Sequence, residues 1–198
     1  MAVALRYRNR QRNFTIGLFL GVAIMLTWTY WREAQSNSTS AMPSDEAAFV
    51  TILMHSRAAW LNAPNDLARH GMRAARAAAL CKADPTLLAN AWTGRLASII
   101  PDNFPDYAGK VSARIIINLT SDISISTPSA PLLNDPSTMV EAGSAVYAAA
   151  ANLRIGQTVR FSGRFIRGAD CADEESLTMN GGMTAPRLKV VLTSLSPG

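Results

Sequence analysis

Histidine and cysteine are scarce in this sequence, two of each among 198 residues, and no acidic residue precedes Glu33. Each scarcity excludes something. The only imidazole bases are His55 and His70, and no nucleophile is marked beside them: there is no Gly-x-Ser-x-Gly and no cysteine paired with a histidine motif. Exposed helix histidines are the simpler reading of both. Cys81 and Cys171 form no Cys-x-x-Cys and have no histidine-rich neighbourhood, so no zinc-site or redox-motif spacing is present. The strict Asp-x-Asp-x-Asp-Gly calcium pattern is missing too, although Asp170, Asp173, Glu174 and Glu175 crowd one loop. A solvated acidic loop is expected there, with calcium binding the sharper alternative. The expectation is therefore a protein that is not an enzyme and carries no cofactor or metal.

The missing N-terminal acids decide how the charge is read. A formal net charge of +5 and a pI near 9.7 invite a nucleic-acid partner. Yet Arg6, Arg8, Arg10, Arg12 and Arg32 hold five of the 19 basic residues, and residues 33–198 carry 14 basic and 14 acidic side chains. A domain with no net charge gives a polyanion little to hold, so nucleic acid is a poor partner.

Between Arg12 and Arg32, Phe14–Trp31 runs 18 residues without a charge. That is close to the ~20 residues needed for a helix to cross a ~30 Å hydrocarbon core, once Asn13 and Arg32 snorkel or the bilayer thins. Four arginines before it and the mixed Arg32-Glu33 pair after it place the N-terminus inside. Trp28, Tyr30 and Trp31 then fall at the outer membrane interface. The alternatives are a buried core helix or a cleaved signal peptide. A signal's apolar region is usually ~7–15 residues with a small-x-small site close behind, and Thr39-Ser40-Ala41 is too distant for that.

The expected organisation is a basic cytoplasmic tail at 1–13, a transmembrane anchor at 14–32, a flexible polar tether at 33–43, a helical neck at 44–89 and an exported domain at 90–198. Ser44 with Asp45 and Glu46 reads as a capped helix start, Phe49, Ile52, Leu53 and Trp60 as its apolar face, and Pro64 as its stop. A second helix is expected from about Asp66 to Lys82. Its Arg69, Arg73 and Arg76 are most simply a solvated face, with acidic lipid headgroups as the alternative ligand. Both cysteines lie in the exported part, where an oxidising compartment favours a Cys81–Cys171 disulfide worth up to ~4 kcal/mol. Two unrelated buried thiols are the alternative.

After Asn90 the period changes from helical to alternating. Strands are expected at Trp92–Ile100, with Trp92, Leu96 and Ile100 on one face, at Val111–Leu119, and around Asp122–Thr127. A helix follows over Thr138–Leu153, broken or delayed by Gly143. Thr158–Arg167, with Val159, Phe161 and Phe165 inward, and Arg187–Leu195 complete the set. Three strands, a helix and two strands is the order of an OB-fold, a five-stranded Greek-key barrel whose helix plugs one end. The fold class expected is thus mainly β with a two-helix neck and an N-terminal transmembrane helix. An immunoglobulin-like sandwich is the rival, and the helix inside the domain counts against it.

The run Gln157–Phe165 after Leu153-Arg154-Ile155-Gly156 resembles the fourth strand of exported bacterial OB-folds. With Leu67–Cys81, Trp92-Thr93-Gly94 and Phe161-Ser162-Gly163, it is similar to a group of bacterial periplasmic proteins, membrane-anchored and OB-fold-like. The resemblance spans about two thirds of the chain and implies the bacterial inner membrane but no activity. Its motifs are structural: Gly94 and Gly163 fall where a tight barrel bends. The arrangement of tail, helix and barrel also resembles the haem chaperone of cytochrome c maturation, which attaches haem through a histidine near the end of its barrel. No histidine follows His70 here, so that likeness stops at architecture.

Arg95, Arg114, Arg160, Arg164 and Lys189 occupy outward strand positions that could gather into one basic face. OB-folds use such faces, with stacking aromatics, for single strands. Here Phe161 and Phe165 alternate with the arginines and point inward, so an acidic protein, a glycan or lipid headgroups suit the cations better. The leading expectation is a non-catalytic, single-pass interaction module or accessory subunit facing the periplasm and binding an envelope protein partner. A domain for an anionic or glycan ligand on the basic strand face comes second. An envelope enzyme with an unmarked site comes third.

Overall fold

The structure is a computed structural model that describes residues 42–102, 111–129, 138–169, 171–176 and 178–198. The tail, the apolar run with Trp28, Tyr30 and Trp31, most of the tether and Asp170 lie outside the described residues. Among the described residues no helix is long and apolar enough to cross a membrane.

Residues 42–198 form one compact unit, mainly β, in which helices and barrel share a single core. Helix α1 (Ser44–Asn62) buries Phe49, Val50, Leu53 and Trp60, the three- and four-residue spacing of one helix face. Ser44 is not its cap. Pro43 holds that position, no side chain caps the helix, and the acids behind Ser44 turn toward the barrel instead. Ala63, extended before Pro64, ends it. The second helix is two pieces, a short α2 (Asp66–Arg69) and α3 (Met72–Ala83). Asn65 caps α2 by accepting the Ala68 N–H at 3.0 Å. The break falls at Gly71, whose φ of +81° suits a residue without Cβ.

The barrel begins earlier than the change of period suggests, with β1 at Leu88–Asp102. It continues through β2 (Ser112–Asn118) and β3 (Ser124–Ser126), a two-residue β4 (Val140–Glu141) and α4 (Ala145–Ala150). Then come β5 (Thr158–Phe165), the small hairpin of β6 (Arg167–Gly168) and β7 (Cys171–Ala172), α5 (Met179–Thr184) and β8 (Arg187–Pro197). The ring runs β1-β5-β8-β3-β2 and back to β1, antiparallel everywhere except β3 with β8. This closed five-stranded barrel is consistent with the OB-like order read from the sequence, and α4 sits between its third and fourth strands as expected. That helix is shorter than Thr138–Leu153: Val140 and Glu141 pair with β2, Gly143 turns at φ +90°, and Ser144 caps α4 through the Tyr147 N–H.

Closure needs β1 to bend, because its first half pairs with β5 and its second with β2. At the bend, a Cβ on Gly94 would lie 2.5 Å from Ile117 Cγ2 and 2.9 Å from the Asn118 carbonyl oxygen, so only glycine lets the strands meet. A bulge between Leu96 and Ser98 then shifts the phase of the strand. Ile99 packs on the core and Ile100 is exposed, the reverse of simple alternation. Strand β5 alternates as expected, with Val159, Phe161 and Phe165 buried. The rings of Phe49, Trp92 and Phe165 pack together, Phe49 and Phe165 stacked 4.8 Å apart, which joins α1 to the barrel core.

Candidate functional site

The first two acids of α1 act on β1. Asp45 accepts the Trp92 indole N–H at 2.7 Å, and Glu46 accepts the Thr93 backbone N–H at 3.0 Å and, more weakly, its hydroxyl. Glu46 is fully buried and its Oε1 has no partner. Burial raises its pKa above the ordinary carboxylate value; the bonds from Thr93 oppose the shift and the neighbouring Asp45 carboxylate adds to it.

The arginines of the second helix are not a solvated face. Arg76 is buried, donates to the Gly182 carbonyl at 2.7 Å and forms an ion pair with Glu174, while Arg73 lies 3.9 Å from the same carboxylate. Arg69 donates to the Trp60 carbonyl and stands 5.3 Å over the Trp60 ring. The acidic loop is consumed from the other side. Besides Glu174 with Arg76, Glu175 pairs with Arg114 and Arg187, and Asp173 with Lys189 at 2.9 Å. Arg73 and Arg76 on one side and Asp173, Glu174 and Glu175 on the other neutralise charge within the fold, so neither a headgroup site made of all three arginines nor a solvated loop fits them, while Arg69 pairs at the surface with Asp66 of its own helix. Nearby, Cys81 of α3 and Cys171 of β7 form a disulfide with Cα atoms 5.8 Å apart. The expected pairing is therefore present, inside the distance a bridge allows.

The five strand cations do not form one free basic face. Arg114 on β2 and Lys189 on β8 are held by Glu175 and Asp173. Arg160 and Arg164 stand on the exposed side of β5, flanking Ser162. Arg95 lies on the β1 bend, where its Nε–H donates to the Gly156 carbonyl at 2.8 Å. A groove opens there, of about 390 Å³, lined by Met42, Thr93, Arg95, Asn118, Thr120 and Thr158 among others. A smaller one, about 250 Å³, runs between Leu88–Asn90 and the Ser162–Arg164 stretch.

His55 and His70 are both exposed. Among the described residues no three of His, Cys, Asp and Glu cluster as a metal would require. The groove was not legible beforehand because Asn118, Thr120 and Thr158 carry no motif, and only the bend at Gly94 brings them beside Arg95. No known protein family, curated protein or solved structure matches this chain.

Proposed function

We propose that this protein is a non-catalytic interaction module of the bacterial envelope. Its basic tail stays in the cytoplasm, its apolar segment 14–32 anchors it in the inner membrane, and its barrel with the helical layer docks on an envelope protein in the periplasm. The observation that carries the docking is the outward face of α1. Met54, Ala58 and Leu61, spaced as one helix stripe, are all exposed, and no acid follows Glu46 in that helix. Leu67, just beyond, is 84% exposed. Arg76 of this layer is spent inward on Glu174, and Arg69 lies over the Trp60 ring and pairs with the exposed Asp66 beside Leu67, so the apolar stripe of α1 is bordered there by a surface ion pair. Such a face suits an apolar helix of a partner protein. The Cys81–Cys171 bond supports the exported location, since disulfides persist in oxidising compartments.

Photocrosslinkers placed at Met54 and Leu61 in native membranes test the docking. One discrete crosslinked partner is expected, lost together with co-purification in Met54→Asp and Leu61→Asp; recovery of an uncrosslinked monomer refutes it. Topology is tested separately. A reporter active only outside the cytoplasm should work after Gly198 and fail after Arg12.

A further inference from the structure

Arg95 differs from its four companions in what holds it. Its Nε–H is tied to the Gly156 carbonyl, and its Nη2 lies close over Gly156, where a Cβ would be 3.4 Å away. The guanidinium plane is thereby fixed while neither Nη group has a partner among the described residues. No acid lines the groove it enters. A planar cation with both amino groups free presents the fork that pairs two-fold with a carboxylate or phosphate. Fixing the plane before a ligand arrives lowers the ordering cost of binding.

The rest of the groove adds neutral polar groups. The Asn118 amide and the Thr158 hydroxyl make no side-chain hydrogen bond among the described residues, and both strands meet Arg95 directly: Asn118 of β2 and Thr158 of β5 are its ladder neighbours. Thr93, two residues before Arg95 on β1, is held by Glu46. Met42, 41% exposed, offers one apolar side. At about 390 Å³ the groove exceeds a lone phosphate and falls at the small end of the ~300–1,000 Å³ of small-molecule sites.

We infer that this groove is a binding site for an anionic saccharide. The carboxylate or phosphate of the sugar pairs with the Arg95 Nη groups, its hydroxyls bond to Asn118 and Thr158, and its ring lies against Met42. The site goes beyond protein docking and does not depend on it, because it lies on the β1 bend and uses none of the outward residues of α1.

The test is backbone amide NMR on the full chain in micelles, titrated with glucuronate and with glucose 1-phosphate, and with inorganic phosphate and glucose as controls. At least one anionic sugar should shift the amides of Arg95, Asn118 and Thr158 with saturation. Glucose should bind at least tenfold more weakly. Arg95→Gln should weaken the anionic sugar at least tenfold, and Asn118→Asp, which places a carboxylate beside Arg95 without touching its bond to Gly156, should do the same. Binding unchanged in Asn118→Asp, or no saturable shift with either anionic sugar, overturns the site. Inorganic phosphate binding as tightly as glucose 1-phosphate overturns the saccharide assignment. Crosslinking at Met54 is unaffected by either variant, so failure here is distinguishable from failure of the docking reading.

Discussion

Arg76 of α3 and Glu174, in the segment after β7, meet in the interior as a buried ion pair, each side chain almost wholly inaccessible. The pair ties the helical layer to the segment that follows β7, and Arg76 also supplies the donor for the Gly182 carbonyl. Removing Arg76 takes the close ion pair from the buried Glu174 carboxylate and leaves it the longer 3.9 Å contact to Arg73. Arg76→Met should therefore cost about 3–5 kcal/mol. The double variant Arg76→Met with Glu174→Met should recover part of that loss, retaining a cost of about 1–3 kcal/mol for the Gly182 carbonyl. A double-mutant cycle of urea midpoints measures the coupling; strictly additive losses would contradict the pair.

Gly163 of β5 lies under β8, where a Cβ would approach the Val191 carbonyl oxygen to 2.5 Å and Leu192 Cα to 3.2 Å. Both are backbone atoms and cannot swing aside. The register of β5 against β8 shifts between Ser162 and Gly163, so the close approach is part of the bulge that curves the barrel. Gly163→Ala should destabilise by at least the ~1–3 kcal/mol typical of overpacking, as a lower melting temperature. Gly143→Ala is the contrast, since nothing lies within 4 Å of its Cβ position and only its φ of +90° is strained. Its cost should be the smaller.

Where the extra residue of a bulge lies on the partner strand, as Thr193 of β8 does opposite β5, alternation runs unbroken and the buried residues were readable in advance. In β1 the bulge at Leu96–Ser98 reversed Ile99 and Ile100, and bulges have no fixed sequence signature. The charged residues misled for a second reason: Arg76 and Glu174 each resemble a surface residue in isolation. Only a pairing across 98 positions makes them interior. Helix α5, with two glycines in six residues, has little intrinsic propensity and no apolar period, yet Met183 is fully buried beneath it. Its position follows from tertiary partners, Trp60 to Asn180 and Arg57 to the Thr184 carbonyl.

The disulfide acts on the same junction as the Arg76 pair. Cys81 stands one turn along α3 from Ala77, and Cys171 anchors the β6–β7 hairpin. Closing 90 residues, the bond should contribute up to ~4 kcal/mol in the chain-entropy model. The Cys81→Ser, Cys171→Ser variant should fold with a lower urea midpoint, and its amides in α3 should exchange faster than those of β1 and β5. In protein taken from the cells that make it, alkylation without reduction should leave both cysteines unmodified in the mass spectrum. Two alkylated cysteines there would mean that the bond does not form in the cell.

Glu46 links the start of α1 to β1 and gives stability a measurable dependence on pH. Its carboxyl is buried with Oε1 unpartnered, and desolvation raises its pKa above the ordinary value of 4.5. A folded pKa above the unfolded one means that the folded state binds more protons between the two values, so this group favours unfolding as pH rises through that window. Its penalty is complete above the folded pKa, shrinks as pH falls toward 4.5, and changes no further below it. Glu46→Gln keeps a carbonyl for the Thr93 N–H and removes the charge. The variant should therefore be the more stable protein at pH 7, with its advantage narrowing once the pH falls through the folded pKa toward 4.5. Glu46→Ala, which strands the Thr93 N–H, should instead lose about 1–3 kcal/mol relative to Glu46→Gln at every pH. Comparing the three by urea titration between pH 4.5 and pH 7 cancels the contributions of the other carboxylates. A difference between wild type and Glu46→Gln that is flat across that range would show that Glu46 does not titrate there.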